Sequence, residues 1–170
     1  MSGDQGSEVQ EWLDRQAILD LIHRYSDSIT RGDYERTAAV FAPDAVWEEP
    51  QAGLRFETAG EFIEFLAAGT ASMEVLIQTP HSPVVELVGA GKAKATTTIH
   101  EFGRGVVTAE YMFGGVGTEL NFDRYGIYYD QFAKFDGEWK FTHRIWSAFF
   151  TATDRVVGAI SGDRPLLRPS

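Results

Sequence analysis

The sequence predicts an α+β domain in which helices form the N-terminal half and a long, mostly antiparallel sheet forms the C-terminal half. Apolar residues recur every three or four positions near the N-terminus, whereas beyond residue 81 their period shortens toward two. An Asp-Gly step at residues 136 and 137 separates two aromatic-rich runs, which is typical of a hairpin. Such a sheet must curl around the helices to bury the apolar faces of both.

The first helix is the most strongly patterned element and is predicted over residues 8–30. Its stripe has the spacing of a helix with one buried face and consists of Val9, Trp12, Leu13, Ala17, Ile18, Leu21, Ile22, Tyr25 and Ile29. Gly32 suits the left-handed position that ends a helix. Asp33 can cap a short second helix over residues 34–41.

A short strand and a third helix are predicted next. Residues 45–49 form a strand-like run that Pro50 stops. Thr58 and Glu61 then make a capping box, so a helix begins there and ends near Gly69. The face that this helix would bury comprises Phe62, Phe65 and Leu66.

The remaining strands are separated by glycine-rich steps. They are predicted over residues 84–88, 93–102, 106–113, 124–135 and 138–150. The glycine runs at 103–105 and 114–117 lack the strand-to-helix context of a phosphate site, and we interpret them as loops. We expect one domain over residues 1–170, with a core at about 8–150 and a C-terminal tail over 151–170 that is irregular from Asp154.

Composition excludes several classes of function. The chain of 170 residues is 44% hydrophobic and 13% aromatic, which is enough for a packed core and for an aromatic-lined pocket. A formal charge of −10 argues against nucleic acid or anionic membrane as partners, because both are polyanions. There is no cysteine, so disulfides and thiolate catalysis are excluded. The polar N-terminus has no signal-peptide pattern, and we expect a cytoplasmic protein.

His81 is the leading candidate for a proton-transfer group. It follows a Thr-Pro step where the helical half gives way to the β-rich half, and imidazole titrates near neutral pH. A ring that points into the hollow between helices and sheet could take and return a proton in one turnover. The alternative is a capping or surface histidine.

Several segments together resemble the SnoaL-like proteins of the nuclear-transport-factor-2-like superfamily. The resemblance spans about residues 8 to 150, and its ordered combination is more specific than any one piece. The segments are residues 15–21, 24–34 and 41–47, then His81, then residues 126–130 and 136–141. The resemblance implies a cone-shaped barrel with a deep pocket between the helices and the concave sheet. Members include polyketide cyclases, dehydratases and a dehydrochlorinase, so the fold alone does not choose a reaction.

In the dehydratase and dehydrochlorinase branch, the resemblance implies a Tyr on the first helix, an Asp five residues later and a His at the start of the sheet. Tyr25 and His81 match, but Thr30 stands at the Asp position. A carboxylate would stabilise the imidazolium that forms when the base takes a proton, and a threonine hydroxyl supplies no charge. This is the main departure from the pattern.

Three substitutes for the missing acid remain open. Asp27 lies three residues before Thr30, nearly on the same helical face. Glu48 or Glu49 could supply a carboxylate from the first strand, where alternation turns only one of them inward. In the third alternative, Thr30 suffices for a weaker or different reaction.

Substrate binding is assigned to Trp47, His100, Tyr128 and Arg144. On the last strand, simple alternation separates His143 from Arg144, and either could polarise a substrate oxygen. The four histidines do not form the close-spaced sets of a metal site, so we expect no metal and no other cofactor.

Two functional hypotheses follow. The first is a cofactor-independent lyase or isomerase in which a pocket histidine moves a proton on a small, apolar, cyclic molecule. The second is a non-catalytic domain of the same fold for ligand binding or assembly. The resemblance also implies a homodimer or homotrimer formed through the exposed sheet face.

Overall fold

The computed structural model describes residues 2–89, 91–106, 117 and 119–155. Three helices lie in the N-terminal half: α1 (Ser2–Arg31), α2 (Tyr34–Ala39) and α3 (Ala59–Thr70). Strand β1 (Phe41–Glu49) and the short β2 (Leu54–Phe56) come before α3. The remaining strands, β3 (Met73–Gly89), β4 (Lys92–Val106), β5 (Glu119–Phe135) and β6 (Glu138–Arg155), come after it.

The six strands form one curled sheet in the order β2-β1-β6-β5-β4-β3. All neighbours pair antiparallel except β1 and β6, which are parallel. The predicted α+β class with a mostly antiparallel sheet is therefore confirmed. Helix α1 packs against β3 and β6. Only the C-terminal part of its predicted stripe is buried, at Ile18, Leu21, Ile22, Tyr25 and Ile29. The prediction is wrong for the N-terminal part, where Val9, Trp12, Leu13 and Ala17 are exposed.

The local signals that start and end the helices act as predicted. Gly32 has a φ of 67°, the left-handed value that a glycine adopts without strain. Asp33 caps α2 by accepting a hydrogen bond from the backbone N–H of Arg36 at 3.0 Å. Thr58 caps α3 in the same way, accepting from the N–H of Glu61 at 3.2 Å. These contacts involve only sequence neighbours, which is why the sequence reveals them.

The strands extend well beyond their predicted bounds. Strand β4 continues through residues 103–105, so the prediction of a loop there is wrong. A Cβ on Gly103 would lie 2.2 Å from the Phe122 ring, and one on Gly105 would lie 2.7 Å from the backbone oxygen of Ser72. The missing side chains of these two glycines therefore let the Phe122 ring and the Ser72 backbone approach β4 closely, and neither glycine ends the strand.

Two bulges change which side chains face the core. In β6, Phe141 pairs with Phe132 and His143 with Gln131, which leaves Thr142 as an extra residue. Phe141 and Arg144 are consequently both buried, although simple alternation placed them on opposite faces. In β3, a second bulge follows His81, and Ser82 has a φ of 46° there.

Three predictions concern residues that are largely outside the described ranges. The predicted strand over 106–113 has only Val106 within them, as the last residue of β4. Of the glycine run at 114–117, only Gly117 is described. The tail is described as far as Arg155, where β6 ends.

Candidate functional site

A cavity of about 480 Å³ lies between helices α1 and α3 and the concave face of the sheet. This volume is within the range of pockets that hold small molecules. Most of its wall is apolar or aromatic and includes Ile29, Trp47, Leu54, Phe62, Phe65, Leu66, Met73, Leu76, Phe122 and Trp146. Trp47 stacks on Phe62 with ring centroids 4.6 Å apart, which joins β1 to α3 at the wall.

A continuous band of polar side chains runs along this apolar cavity. Its members are Tyr25, Tyr128, Gln78, Glu101, Arg124 and Glu49. At one end, the hydroxyls of Tyr25 and Tyr128 lie 3.4 Å apart. Gln78 Nε2 donates to the Tyr128 hydroxyl at 3.3 Å and to Glu101 Oε2 at 2.9 Å. At the other end, Arg124 lies 3.8 Å from Glu101 and donates to Glu49 Oε1 at 2.5 Å.

The tyrosine end of the band is a pair of un-ionised hydroxyl donors. Both rings are almost fully buried, and burial raises the pKa of Tyr25 and that of Tyr128 above the ordinary phenol value. Arg144 lies beneath them with its guanidinium carbon 4.0 Å from the centroid of each ring. It does not line the cavity, so its role is to hold the two rings in place.

The opposite end of the band carries a buried carboxylate. Glu49 is 9% exposed and lines the cavity, whereas Glu48 points to the other face and contacts His143 at 2.6 Å and Arg55 at 2.9 Å. The structure thus decides which of the two neighbouring acids faces inward. Burial raises the pKa of Glu49, and the Arg124 charge opposes that rise only in part.

His81 lies outside this cavity. Its side chain is exposed, it is opposite Thr98 in the sheet, and it is not among the residues that line the cavity. Gln78 instead projects into the cavity from β3, and because His81 is three residues further along, alternation turns it to the opposite face. The sequence predicts that this ring faces the hollow; that prediction is wrong, because Gln78 occupies the inward position on β3.

The two residues proposed as partners of the imidazole, Thr30 and Asp27, form contacts with other residues. The Thr30 hydroxyl accepts a hydrogen bond from the backbone N–H of Gln78 at 3.0 Å, which joins α1 to β3. Asp27 forms ion pairs with Arg31 at 2.8 Å and Arg36 at 3.2 Å, and it does not line the cavity.

Of the four residues assigned to substrate binding, three lie at or directly behind the cavity and one lies on the outer side of the sheet. Trp47 and Tyr128 line the cavity, and Arg144 lies directly behind it. His100 faces the outer side of the sheet, where it contacts Asp123 at 2.7 Å and stacks on Tyr125 at 4.4 Å. It therefore does not reach the cavity, because its neighbour Glu101 takes the inward position on β4.

Sequence reasoning missed Gln78, Glu101 and Arg124. Each is a common polar residue on a strand, and the band becomes evident only when β3, β4 and β5 pair side by side. Glu101 and Arg124 face each other in the register of β4 and β5, which the sequence alone does not give. Within the described residues there is no cluster of three histidine, aspartate or glutamate side chains that could hold a metal.

No described helix combines the length and apolar character needed to cross a lipid bilayer. This finding concerns the helices alone.

Comparison with known proteins extends these observations. The SnoaL-like domain family matches residues 10–145, which is most of the chain. No curated protein sequence matches this chain. Among similar solved structures, the hexachlorocyclohexane dehydrochlorinase LinA type 2 has a TM-score of 0.75 at 18% identity, with 91% of this chain and 99% of that chain covered.

Two further structures share the fold. A Novosphingobium aromaticivorans protein provisionally named a scytalone dehydratase has a TM-score of 0.70 at 19% identity, covering 94% of this chain and 97% of that one. A protein of unknown function from Nostoc punctiforme, described as having a cystatin-like fold, has a TM-score of 0.60 at 16% identity, covering 80% and 91%. At these identities the likeness concerns the fold, and it confirms the architecture expected from the sequence.

Proposed function

The chain belongs to the SnoaL-like domain family, and from that premise we propose that it is a cofactor-independent lyase or isomerase. Its substrate in this proposal is a small, largely apolar, cyclic molecule. One observation carries the proposal: an apolar cavity contains a carboxylate of raised pKa, Glu49, together with two un-ionised tyrosine hydroxyls. A base and hydrogen-bond donors in one largely apolar site are the groups that proton abstraction next to a carbonyl requires.

Each end of the polar band has a distinct role in this proposal. Glu49 removes a proton from carbon, and the tyrosine pair donates a hydrogen bond to the oxygen that becomes negative. Arg124, which pairs with Glu49, and Tyr128 both lie on β5 and line the cavity, so the base and the donors share one wall. The proton then returns to another carbon in an isomerase, or a leaving group departs in a lyase.

The first test replaces the proposed base. Glu49→Gln keeps the side-chain shape but removes the basic group. We expect the rate of catalysed proton exchange to fall about 100-fold or more. The measurement follows hydrogen–deuterium exchange at the carbon next to the carbonyl of 2-tetralone by NMR in deuterated buffer.

Two control variants separate this assignment from the one based on the sequence. His81→Ala and Glu48→Gln each alter an ionisable group outside the cavity, and both variants should catalyse proton exchange at the wild-type rate. If His81→Ala lost the exchange while Glu49→Gln kept it, Glu49 would be rejected as the base and His81 restored.

The pH dependence gives an independent prediction. Burial raises the pKa of Glu49 above the value of about 4.3 for an exposed glutamate, so exchange should rise with pH through that higher value, because only the ionised form accepts a proton. The folded state also binds this proton more tightly than the unfolded state does, so ionisation of Glu49 lowers stability as pH rises through the same window. Activity and the Glu49 contribution to stability should therefore change in opposite directions in wild type, and Glu49→Gln should lose both of these contributions. If the exchange rate of that variant still rose with pH as in wild type, the titrating group would be a residue other than Glu49.

One observation favours a second function. No histidine is present among the described residues that line the cavity. A domain that binds a small ring compound without transforming it would have the same apolar walls and donors. Wild-type protein that binds 2-tetralone but leaves its exchange at the buffer rate would support this alternative.

A further inference from the structure

The side-chain amide of Gln78 is held in one orientation in the middle of the polar band. Gln78 is 5% exposed, and its Oε1 accepts a hydrogen bond from Ser26 Oγ at 3.3 Å. On the other side of the amide, Nε2 donates to Glu101 Oε2 at 2.9 Å. A carboxylate accepts hydrogen bonds and donates none, so the NH2 group of the amide must face Glu101 and its carbonyl must face Ser26.

This orientation determines what the Tyr128 hydroxyl can do. Gln78 Nε2 also donates to that hydroxyl at 3.3 Å, so the phenol oxygen is an acceptor there and its hydrogen is left for another partner. The Tyr25 hydroxyl lies 3.4 Å from that of Tyr128, and both residues line the cavity. The pair has two hydroxyl hydrogens, and the contact between the rings uses one. Whichever tyrosine donates in that contact, one hydrogen remains for the cavity.

We propose that Gln78 is a positioning residue that makes the tyrosine pair a hydrogen-bond donor toward the cavity. The proposal deepens the proposed function and rests on it, because an oxygen that becomes negative needs a donor and is repelled by a lone pair. Successive hydrogen bonds polarise one another, so the chain from Ser26 through Gln78 also strengthens the last hydroxyl as a donor.

An acceptor in place of the amide would reverse the chain. The Tyr128 hydrogen would then point at residue 78, and the Tyr25 hydroxyl would donate to the Tyr128 oxygen. The cavity would face a lone pair where wild type presents a hydrogen. The identity of one buried side chain thus decides whether this wall donates or accepts.

Gln78→Glu tests the direction with the smallest change in shape. The carboxyl oxygen that faces Tyr128 in this variant accepts from it, whether the group is ionised or shares its proton with Glu101. Gln78→Met supplies neither donor nor acceptor at similar length, and it keeps the test available if the added acid prevents folding. Gln131→Glu is the matched control, because Gln131 is exposed on β5 and is not among the residues that line the cavity.

Two ligands with the same fused six- and five-membered ring frame report the direction by titration calorimetry. 2-Indanone has a carbonyl that only accepts, and indole has an N–H that only donates. We expect wild type to bind 2-indanone more tightly than indole. The ratio of the two dissociation constants should shift toward indole about tenfold in Gln78→Glu and about 2- to 5-fold in Gln78→Met, with no shift in Gln131→Glu.

The infrared spectrum of bound 2-indanone gives a second measurement. A hydrogen bond to a carbonyl oxygen lowers its stretching frequency, so the frequency should be lower in wild type than in Gln78→Glu. A change in packing alone would not move this band and the binding ratio together in the expected directions.

The proposal is overturned if the ratio is the same in wild type and both Gln78 variants, if Gln131→Glu shifts it as far as Gln78→Glu, or if neither ligand binds. Its failure is distinguishable from failure of the proposed function, because binding needs no turnover. A shifted ratio in a protein that leaves 2-tetralone exchange at the buffer rate rejects only the enzyme. Catalysed exchange with an unshifted ratio rejects only the role of Gln78.

Discussion

Asp130→Asn is expected to lower the free energy of unfolding by about 3–5 kcal/mol, the usual effect of removing one partner from a buried ion pair. Arg144 is completely buried, and its Nε and Nη2 donate to the two Asp130 carboxylate oxygens at 2.7 Å and 2.8 Å. Burial alone would lower the pKa of Arg144, but the Asp130 charge outweighs it and raises that pKa above its ordinary value. Without that charge, the cation remains buried with only neutral neighbours.

The effect should extend to the candidate site. The Arg144 guanidinium lies 4.0 Å from the ring centroids of Tyr25 and Tyr128 and 4.1 Å from that of Phe141. Asp130 therefore fixes the cation that positions the two hydroxyl donors. We expect proton exchange on 2-tetralone to fall in Asp130→Asn even at temperatures where the variant is fully folded.

Urea denaturation of wild type and Asp130→Asn measures the stability effect. The double variant Asp130→Asn with Arg144→Met is the matched control, because it removes the stranded charge and should recover much of the lost stability. A loss below about 1 kcal/mol, typical of exposed pairs, would show that the pair is not desolvated in solution.

Gly126→Ala has the second-largest expected effect, a loss of about 1–3 kcal/mol in stability together with a smaller cavity. A Cβ at Gly126 would lie 2.5 Å from Cη2 of Trp146 and 2.7 Å from the backbone oxygen of Ser147. The absence of a side chain lets the indole lie directly on β5, between Arg124 and Tyr128. A methyl group there forces the indole to move, and the displaced ring narrows the cavity.

Thermal unfolding and binding of 2-tetralone measure the two consequences. Gly60→Ala is a suitable control, since its added Cβ would meet nothing closer than 3.9 Å and the site lies in helix α3. Combining Gly126→Ala with Trp146→Phe should restore part of the stability, because the smaller ring leaves room for the methyl group. Unchanged stability in the single variant would mean that the indole does not rest on Gly126.

The elements that sequence reasoning predicts well are those fixed by near neighbours. The helical course of α1, the left-handed Gly32 and the caps at Asp33 and Thr58 all depend on residues within one or two helical turns. Burial of the α1 stripe does not, since Val9, Trp12 and Leu13 have the predicted spacing and are exposed. The hairpin at residues 136 and 137 has the same local origin, with Asp136 and Gly137 both at positive φ. For these elements, sequence spacing is also spatial proximity.

The inward or outward direction of strand residues is less predictable. One extra residue in β6 brings Phe141 and Arg144 to the same, buried side of the sheet. Simple alternation along the sequence does not predict this bulge. Glu48 and Glu49 are equivalent candidates in the sequence, and only the contacts with His143 and Arg124 separate them. His81 was favoured for its chemistry, and its exposure follows from its position three residues beyond Gln78.

The sequence by itself determined the α+β class, the helical half and its ends, and the family resemblance, because periodicity and capping act over short distances along the chain. Only the tertiary structure decided which polar side chains meet in the cavity. The band from Tyr25 to Glu49 draws its members from α1 and four strands. Those contacts depend on strand pairing and on bulges, which shift a side chain from one face of the sheet to the other by a single residue.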